Sequence, residues 1–227
     1  MAIKNRPEFK KFIRRVEKSS DVSRISSTEK RHLKNFQTAR ENLKHLVDDE
    51  SFLEFGQFAV AAQRSRRDYE ELQDKTNADG IITGFCSINS ALIGEEDAKA
   101  VAIIYDYSVL AGTQGFFHHA KLDRICEQAK KFNLPVVIFT EGGGGRPGDT
   151  DVLTQIAGLH IPSFSSWAQL TGTCLKIAVN NGYCFAGNAV LFGCADFKIA
   201  TKDSWIGMAG PATVSYTHLR AHETHEH

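Results

Sequence analysis

A run of apolar, largely β-branched residues, Leu134-Pro135-Val136-Val137-Ile138-Phe139, passes through Thr140-Glu141 into four successive glycines, Gly142 to Gly145. Without polar alternation, such a run has the pattern of a strand buried on both faces, as in a parallel sheet. Glycines directly after it place a loop without side chains at the carboxyl end of that strand, where open α/β sheets hold ligands. Four glycines cost conformational entropy, and they let the main chain approach a ligand closely. A flexible linker needs no buried strand before it. A nucleotide phosphate loop needs Lys-Ser or Lys-Thr where Arg146-Pro147 stands. The segment reads as a loop whose main-chain N–H groups face a ligand oxygen, as in an oxyanion hole, with a flexible linker as the alternative.

The rest of the composition bounds this reading. The 227 residues are 42% apolar and 24% charged, with zero formal net charge. That is enough chain for one substantial core, and the neutral balance argues against a nucleic-acid binder. No apolar run reaches the ~18 residues of a membrane span, and no signal-peptide core stands near the start. Cys86, Cys126, Cys174, Cys184 and Cys194 form no Cys-x-x-Cys pair. They read as free thiols of a reducing, cytoplasmic compartment, with no metal site.

In chain order, residues 1–48 read as basic and helical. Lys10, Lys11, Arg14, Arg15 and Lys18 form a solvated face. Leu33, Phe36, Ala39, Leu43 and Leu46 lie at helical spacing in a second helix. Ser51 to Gly56 reads as a short strand, and Arg64, Arg66 and Arg67 as loop charges or contacts to phosphates. Ile81–Ile88 and Val101–Tyr107, separated by the turn Gly94 to Asp97, predict a hairpin. Ala111-Gly112-Thr113-Gln114-Gly115 is a second glycine loop after a strand. From Phe116 to Asn133, Leu122, Ile125, Cys126 and Ala129 share a helical face. His118-His119 near its start, being adjacent, do not share a face and read as exposed or close to a ligand. Val152–Gln169 is helical in part. Leu175–Val179 is a strand that runs into Gly182 and then the small residues Ala186 to Ala189, which open a helix. Phe197–Ala200 and Ser204–Met208 are short strands. Strands alternating with helices make an α/β fold.

The segment Val179-Asn180-Asn181-Gly182-Tyr183-Cys184-Phe185-Ala186-Gly187-Asn188-Ala189, continued by Cys194 to Ala200, resembles the second oxyanion segment of the crotonase superfamily. It is most similar to the carboxyltransferase subunit of biotin-dependent acyl-CoA carboxylases. Ala39 to Glu54 resembles that branch's helix-to-strand entry, Asp106 to Gly115 its first glycine loop, and Glu141 to Arg146 its Asp-Ser-Gly-Gly-Ala-Arg segment. The resemblance covers about residues 36 to 212. It implies a crotonase-like spiral of ββα units over residues 49–212, preceded by the helical segment 1–48. The usual glycine pair of the hole is Gly187-Asn188 here; a main-chain donor survives that change, and Asn tolerates αL. The family's loop serine is Gly142. After Ala212 the family continues into a second half that carries the biotin-side hole. Here residues 213–227 are rich in histidine, with His218 and His222 at i, i+4, and they read as a non-native tail of translated adapter on a truncated half.

The chemistry implied is carboxyl transfer from carboxybiotin to an acyl-CoA such as acetyl-CoA or propionyl-CoA. The enolate would be held by N–H donors of Gly187 and Asn188, with Gly143 and Gly144 lining the pocket or assisting. Gly112, Thr113, Gly142 and Ala186 would lie near the CoA, and Arg146 would brace the loop or touch substrate. Biotin would ride on a carrier protein charged by a biotin carboxylase. The family's site lies between subunits, which implies a homodimer or larger assembly and an exposed apolar face on a truncated chain. Two alternatives stay open. One is another crotonase-type enzyme, a decarboxylase, isomerase or hydratase, with Glu141 or Asp149 as the acid. The other is a non-catalytic acyl-CoA-binding module.

Overall fold

The computed structural model describes residues 6–152 and 161–210. Helix α1 (Pro7–Lys18) opens with proline, whose fixed φ suits a first helical position. The apolar spacing from Leu33 to Leu46 predicts one helix, but the structure has two, α2 (Ile25–His32) and α3 (Ala39–Leu46). Asn35 at φ 57° breaks the chain between them. Thr38 restarts it with a capping box: its Oγ1 accepts from the Glu41 N–H, and the Glu41 carboxylate accepts from the Thr38 N–H. Leu33 is left 84% exposed.

Strand β1 (Leu53–Phe55) leads to α4 (Tyr69–Lys75), a helix within the stretch that the sequence presents as an arginine-bearing loop. Strands β2 (Ile81–Ser87) and β3 (Lys99–Tyr105) form the expected hairpin, with Ile82 opposite Ile104, and the single turn α5 (Ser90–Ile93) lies between them. Helix α6 (Phe116–Phe132) buries Leu122, Ile125, Cys126 and Ala129 as the periodicity predicts. It stops because Asn133 is left-handed, at φ 54°, with the Leu134 N–H bonded to the Ala129 carbonyl, and Pro135 cannot continue a helix. Then come β4 (Val136–Phe139), α7 (Ser163–Ala168), β5 (Lys176–Asn180), β6 (Tyr183–Phe185), α8 (Gly187–Gly193), β7 (Phe197–Ala200) and β8 (Trp205–Gly207). Of the stretch 152–169, α7 is a described helix and residues 153–160 lie outside the described residues, as does the tail 213–227.

Six strands make the main sheet in the order β1-β2-β3-β4-β5-β7. The first three are antiparallel; β3, β4, β5 and β7 are parallel. The sheet is covered on both faces. Val101, Ile103 and Tyr105 of β3 meet α6, with Trp167 of α7 and Leu191 of α8 in the same cluster. The alternate residues Ala100, Ala102 and Ile104 meet Ala39 and Leu43 of α3. Full burial of each such isoleucine contributes about 2 kcal/mol. At the far edge the pattern fails: Phe197 and Ile199 of β7 are exposed, as are Trp205 and Met208 in and after β8. Among the described residues, no helix is long and apolar enough to cross a membrane.

A small second sheet pairs β6 with β8 in parallel. Successive strands therefore feed the two sheets in turn: β5 and β7 enter the main sheet, β6 and β8 the small one.

Candidate active site

The three loops at the carboxyl ends of β3, β4 and β5 are joined by strand-like pairing. Gly142 bridges Cys184 of β6, and Gln114 bridges Gly145, both in parallel register. The loops after β3 and β4 thus continue the second sheet, and their backbone groups are largely spent on that pairing.

Glycine allows the loops to nest. Gly112, at φ 61°, sits against the Glu141 carbonyl, where a Cβ would come within 2.6 Å of the oxygen. A Cβ on Gly142 would collide with the Asn188 amide and the Gly112 carbonyl, and one on Gly144 would stand 2.7 Å from Ala186 Cβ. Gly187 lies under Gln114 Oε1 and Phe164, with a Cβ reaching 2.9 Å from the phenyl ring.

The accounting of N–H donors separates the two predicted hole segments. The Gly142 N–H donates to the Tyr183 carbonyl at 2.7 Å, the Gly143 N–H to Ala111 at 2.9 Å, and the Gly144 N–H to Asn188 Oδ1 at 3.0 Å. Three of the four glycine donors after β4 are therefore engaged within the protein. In the other segment, Ala186 holds the strained backbone, at φ 51° and ψ −119°, while its own N–H is bonded to Gly207. Asn188 does not take the left-handed conformation: it is helical, and the positive φ lies two residues earlier. Gly187 and Asn188 are the first two residues of α8, where N–H groups have no intrahelical acceptor. Among the described residues none accepts from either.

The Asn188 side chain has a role that its position as a glycine replacement did not suggest. It is fully buried; its Oδ1 accepts from Gly144 and its Nδ2 donates to the Thr140 carbonyl at 3.1 Å. It ties the end of β4 and the glycine loop to α8. Gln114 does the same from the first loop. Its N–H donates to Gly144, its carbonyl accepts from Arg146, and its amide donates to the Tyr105 hydroxyl at 2.9 Å.

Charged side chains brace this assembly from behind. The Arg146 guanidinium pairs with Asp79 and donates to the Thr113 carbonyl at 2.7 Å, with its side chain 4% exposed. It is a brace in this structure, and Thr113 is held by it. Glu141 is buried in a two-pronged pair with Arg31 at 2.8 and 2.6 Å, across 110 residues of sequence. Burial pushes the Glu141 carboxyl upward, and the hydrogen bonds and charge of Arg31 oppose that. Gly182 is glycine because that carboxylate lies against its α-carbon. Asp149 accepts from the Phe116 N–H at 2.8 Å and from Gln63 at 3.1 Å. Both candidate acids are thus committed to structure.

His118 and His119 correct the expectation of an exposed pair: both are buried in the first turn of α6. His118 Nδ1 lies 3.1 Å from the Asp79 carbonyl and His119 Nδ1 2.9 Å from Ser163 Oγ. Burial holds His118 well below its ordinary pKa and lowers His119 to about 4, so both are neutral at pH 7. Of the cysteines, Cys194 is exposed and the other four are buried thiols.

The chain resembles known proteins over most of its length. A model of the carboxyl transferase domain matches residues 30–224. The solved structure of a single-chain, multi-domain long-chain acyl-CoA carboxylase superposes with a TM-score of 0.88 at 46% identity, over 95% of this chain and 21% of that one. The 12S subunit of methylmalonyl-CoA carboxyltransferase from Propionibacterium freudenreichii subsp. shermanii is 30% identical over 188 residues, 82% of this chain and 33% of that protein. The alpha subunit of methylmalonyl-CoA decarboxylase from Veillonella parvula is 28% identical over 187 residues, 82% and 34% of the two chains. The chain spans about a third of the length of these curated relatives. Its sheet, with strands fed alternately to a second small sheet, is the crotonase-like fold of carboxyltransferases. On the match over most of its length and on this fold, the chain belongs to the carboxyl transferase domain family.

Proposed function

We propose that this chain is the acyl-CoA-binding part of a biotin-dependent carboxyltransferase, which carboxylates the α-carbon of an acetyl-CoA or propionyl-CoA type of thioester. The observation that carries this reading is the pair of N–H groups on Gly187 and Asn188, which have no acceptor among the described residues. Loss of the α-proton puts negative charge on the thioester oxygen. Two fixed donors at that oxygen stabilise the enolate, and each such donor typically lowers the barrier by roughly 3 kcal/mol. Gly143 and Gly144, whose N–H groups are engaged, form wall rather than donors. Gly112, Gly142 and Ala186 shape the same wall by close packing, and Arg146 holds it through Thr113.

Among the described residues, the candidate bases are committed elsewhere: Glu141 and Asp149 are engaged, and His118 and His119 are buried. That fits a reaction whose carboxyl group and proton acceptor both come from biotin on a partner protein. The reading extends to a biotin carboxylase, a carrier and a homo-oligomer in the cytoplasm. Further polypeptide would bring the biotin-side half to the exposed apolar face of β7 and β8. Residues 49–212 would form the domain, with residues 1–48 as its brace. The likeness to a decarboxylase subunit favours one second reading, loss of CO2 from a methylmalonyl-type thioester, which passes through the same enolate.

Titration of the ¹⁵N-labelled chain with acetyl-CoA and with propionyl-CoA tests this. The Gly187 and Asn188 amide signals are expected to move saturably, while Gly143 and Gly144 move little. A saturating thioester that leaves Gly187 and Asn188 unmoved would overturn the assignment. Release of CO2 from methylmalonyl-CoA without biotin would favour the second reading.

A further inference from the structure

The Gln114 side chain is buried and hydrogen-bonded at one end. Its Nε2 donates to the Tyr105 hydroxyl at 2.9 Å. Among the described residues its Oε1 has no hydrogen-bond partner. That oxygen stands over the start of α8, where a Cβ on Gly187 would collide with it. The Cα–Cβ bond of a helical residue tilts toward the N-terminus, the end that the free N–H groups of Gly187 and Asn188 face. The tip of Gln114 therefore lies beside that N–H pair. Its main chain is held in place there, since its N–H donates to Gly144 and its carbonyl accepts from Arg146.

Tyr105, the last residue of β3, is buried beneath the loops. Burial pushes its pKa far up, so the phenol keeps its proton at neutral pH. A phenol can both accept and donate. Here it accepts from Gln114, and among the described residues its own proton has no acceptor. The His118 ring packs against Tyr105 with centroids 4.5 Å apart, but the buried His118 Nε2 has no hydrogen-bond partner either. A buried O–H without an acceptor costs about 1–3 kcal/mol. Turning the Gln114 amide over exchanges Oε1 and Nε2 and leaves the rest of the side chain where it is. Oε1 then accepts from Tyr105, and Nε2 becomes a donor beside Gly187 and Asn188. In the opposite orientation an acceptor oxygen faces that place and would repel a developing oxyanion.

We infer that Gln114 is a third donor at the start of α8, its amide turned so that Oε1 accepts from Tyr105 and Nε2 donates to the thioester oxygen. The inference rests on the function proposed above. Two donors come from the main chain of α8, and the third comes from a side chain on the loop after β3. An enolate oxygen has lone pairs enough for it, and the charge strengthens each bond it accepts. Tyr105 is a positioning residue: it touches no ligand, and its buried hydroxyl selects the amide orientation that donates.

Acetyl-CoA and S-ethyl-CoA test this, because the thioether lacks the carbonyl oxygen. On the ¹⁵N-labelled chain, the Gln114 side-chain amide signal is expected to move with acetyl-CoA and to stay in place with S-ethyl-CoA. By calorimetry, Gln114→Met should lower the preference for acetyl-CoA over S-ethyl-CoA by about fivefold, the effect of one hydrogen bond. Tyr105→Phe keeps the amide and removes its hydroxyl partner, and should lower that preference by about twofold. A purely structural role would weaken both ligands alike and leave their ratio unchanged. A Gln114 signal that ignores acetyl-CoA while the Gly187 and Asn188 amides move would overturn the inference and keep the proposed function. An unchanged ratio in a folded Gln114→Met chain would do the same. If none of Gly187, Asn188 and Gln114 distinguishes acetyl-CoA from S-ethyl-CoA, the hole itself is wrong and both readings fall. The wild-type spectra decide between these outcomes even where a variant does not fold.

Discussion

The loop after β4 has four consecutive glycines and the start of α8 has one, yet three of the four donors after β4 are engaged while both at the start of α8 lack an acceptor among the described residues. Gly142, Gly143 and Gly144 donate to Tyr183, Ala111 and Asn188, whereas Gly187 and Asn188 find no acceptor among the described residues. Gly142 and Gly144 are required by packing: Gly112 and Asn188 press on the first and Ala186 on the second. A run of glycines therefore signals close approach of backbones, and it does not reveal whether the approaching group is a ligand or the protein itself. Donor availability depends on hydrogen-bond accounting across the fold.

The largest test of this contrast removes the brace behind the β4 loop. Arg31→Met leaves the Glu141 carboxylate buried without its partner and should cost about 3–5 kcal/mol in urea unfolding. Adding Glu141→Gln should recover part of that loss. If Arg31→Met were neutral, Glu141 would have found solvent, and the β4 loop would be less fixed than described. Next, Gly142→Ala places a Cβ against the Gly112 carbonyl and the Asn188 amide and should cost about 3 kcal/mol.

The support beneath both loops is sensitive to acid in one window. His119 titrates near pH 4 when folded and near its ordinary 6.5 when unfolded. Below pH 6.5 the unfolded chain therefore takes up a proton that the folded chain refuses until about pH 4. Stability is fully present above pH 6.5 and falls as pH drops from 6.5 toward 4, by up to about 3 kcal/mol from this residue. His118 acts in the same direction. His119→Gln should flatten the curve in that window; an unchanged slope would mean that His119 is more hydrated than its burial implies.

Asn188→Ala sharpens the comparison at smaller scale. It leaves the Gly144 N–H buried without an acceptor and should cost about 1–3 kcal/mol, while the Asn188 main-chain donor remains. If thioester binding survives that substitution, the side chain ties loops and the main chain serves the ligand. The smallest effect is expected at Gly145, where an added Cβ meets nothing within 4 Å: Gly145→Ala should change stability by less than about 0.5 kcal/mol.

What could be read locally came from short-range pattern. The hairpin of β2 and β3, the buried β4, the stop of α6 at Asn133-Leu134-Pro135 and the strand-to-helix turn before Gly187 each rest on residues within a few positions of one another. Thr38 and Glu41 carry an equally local signal, a capping box that splits the helix predicted by the apolar spacing. Helix α4 escaped because its few turns carry mostly charged residues, with Leu72 its one buried side chain.

The residues alone point to an α/β chain with glycine-punctuated strand ends and, through their motifs, to the family. Tertiary structure alone decided which donors are free, that Arg31 reaches Glu141, that His118 and His119 are buried, and that Gln114 joins Tyr105 to the start of α8. The physical reason is range. Strand and helix patterns follow from periodicities of a few residues, whereas a free donor or an ion pair is defined by groups that folding brings together from distant parts of the chain.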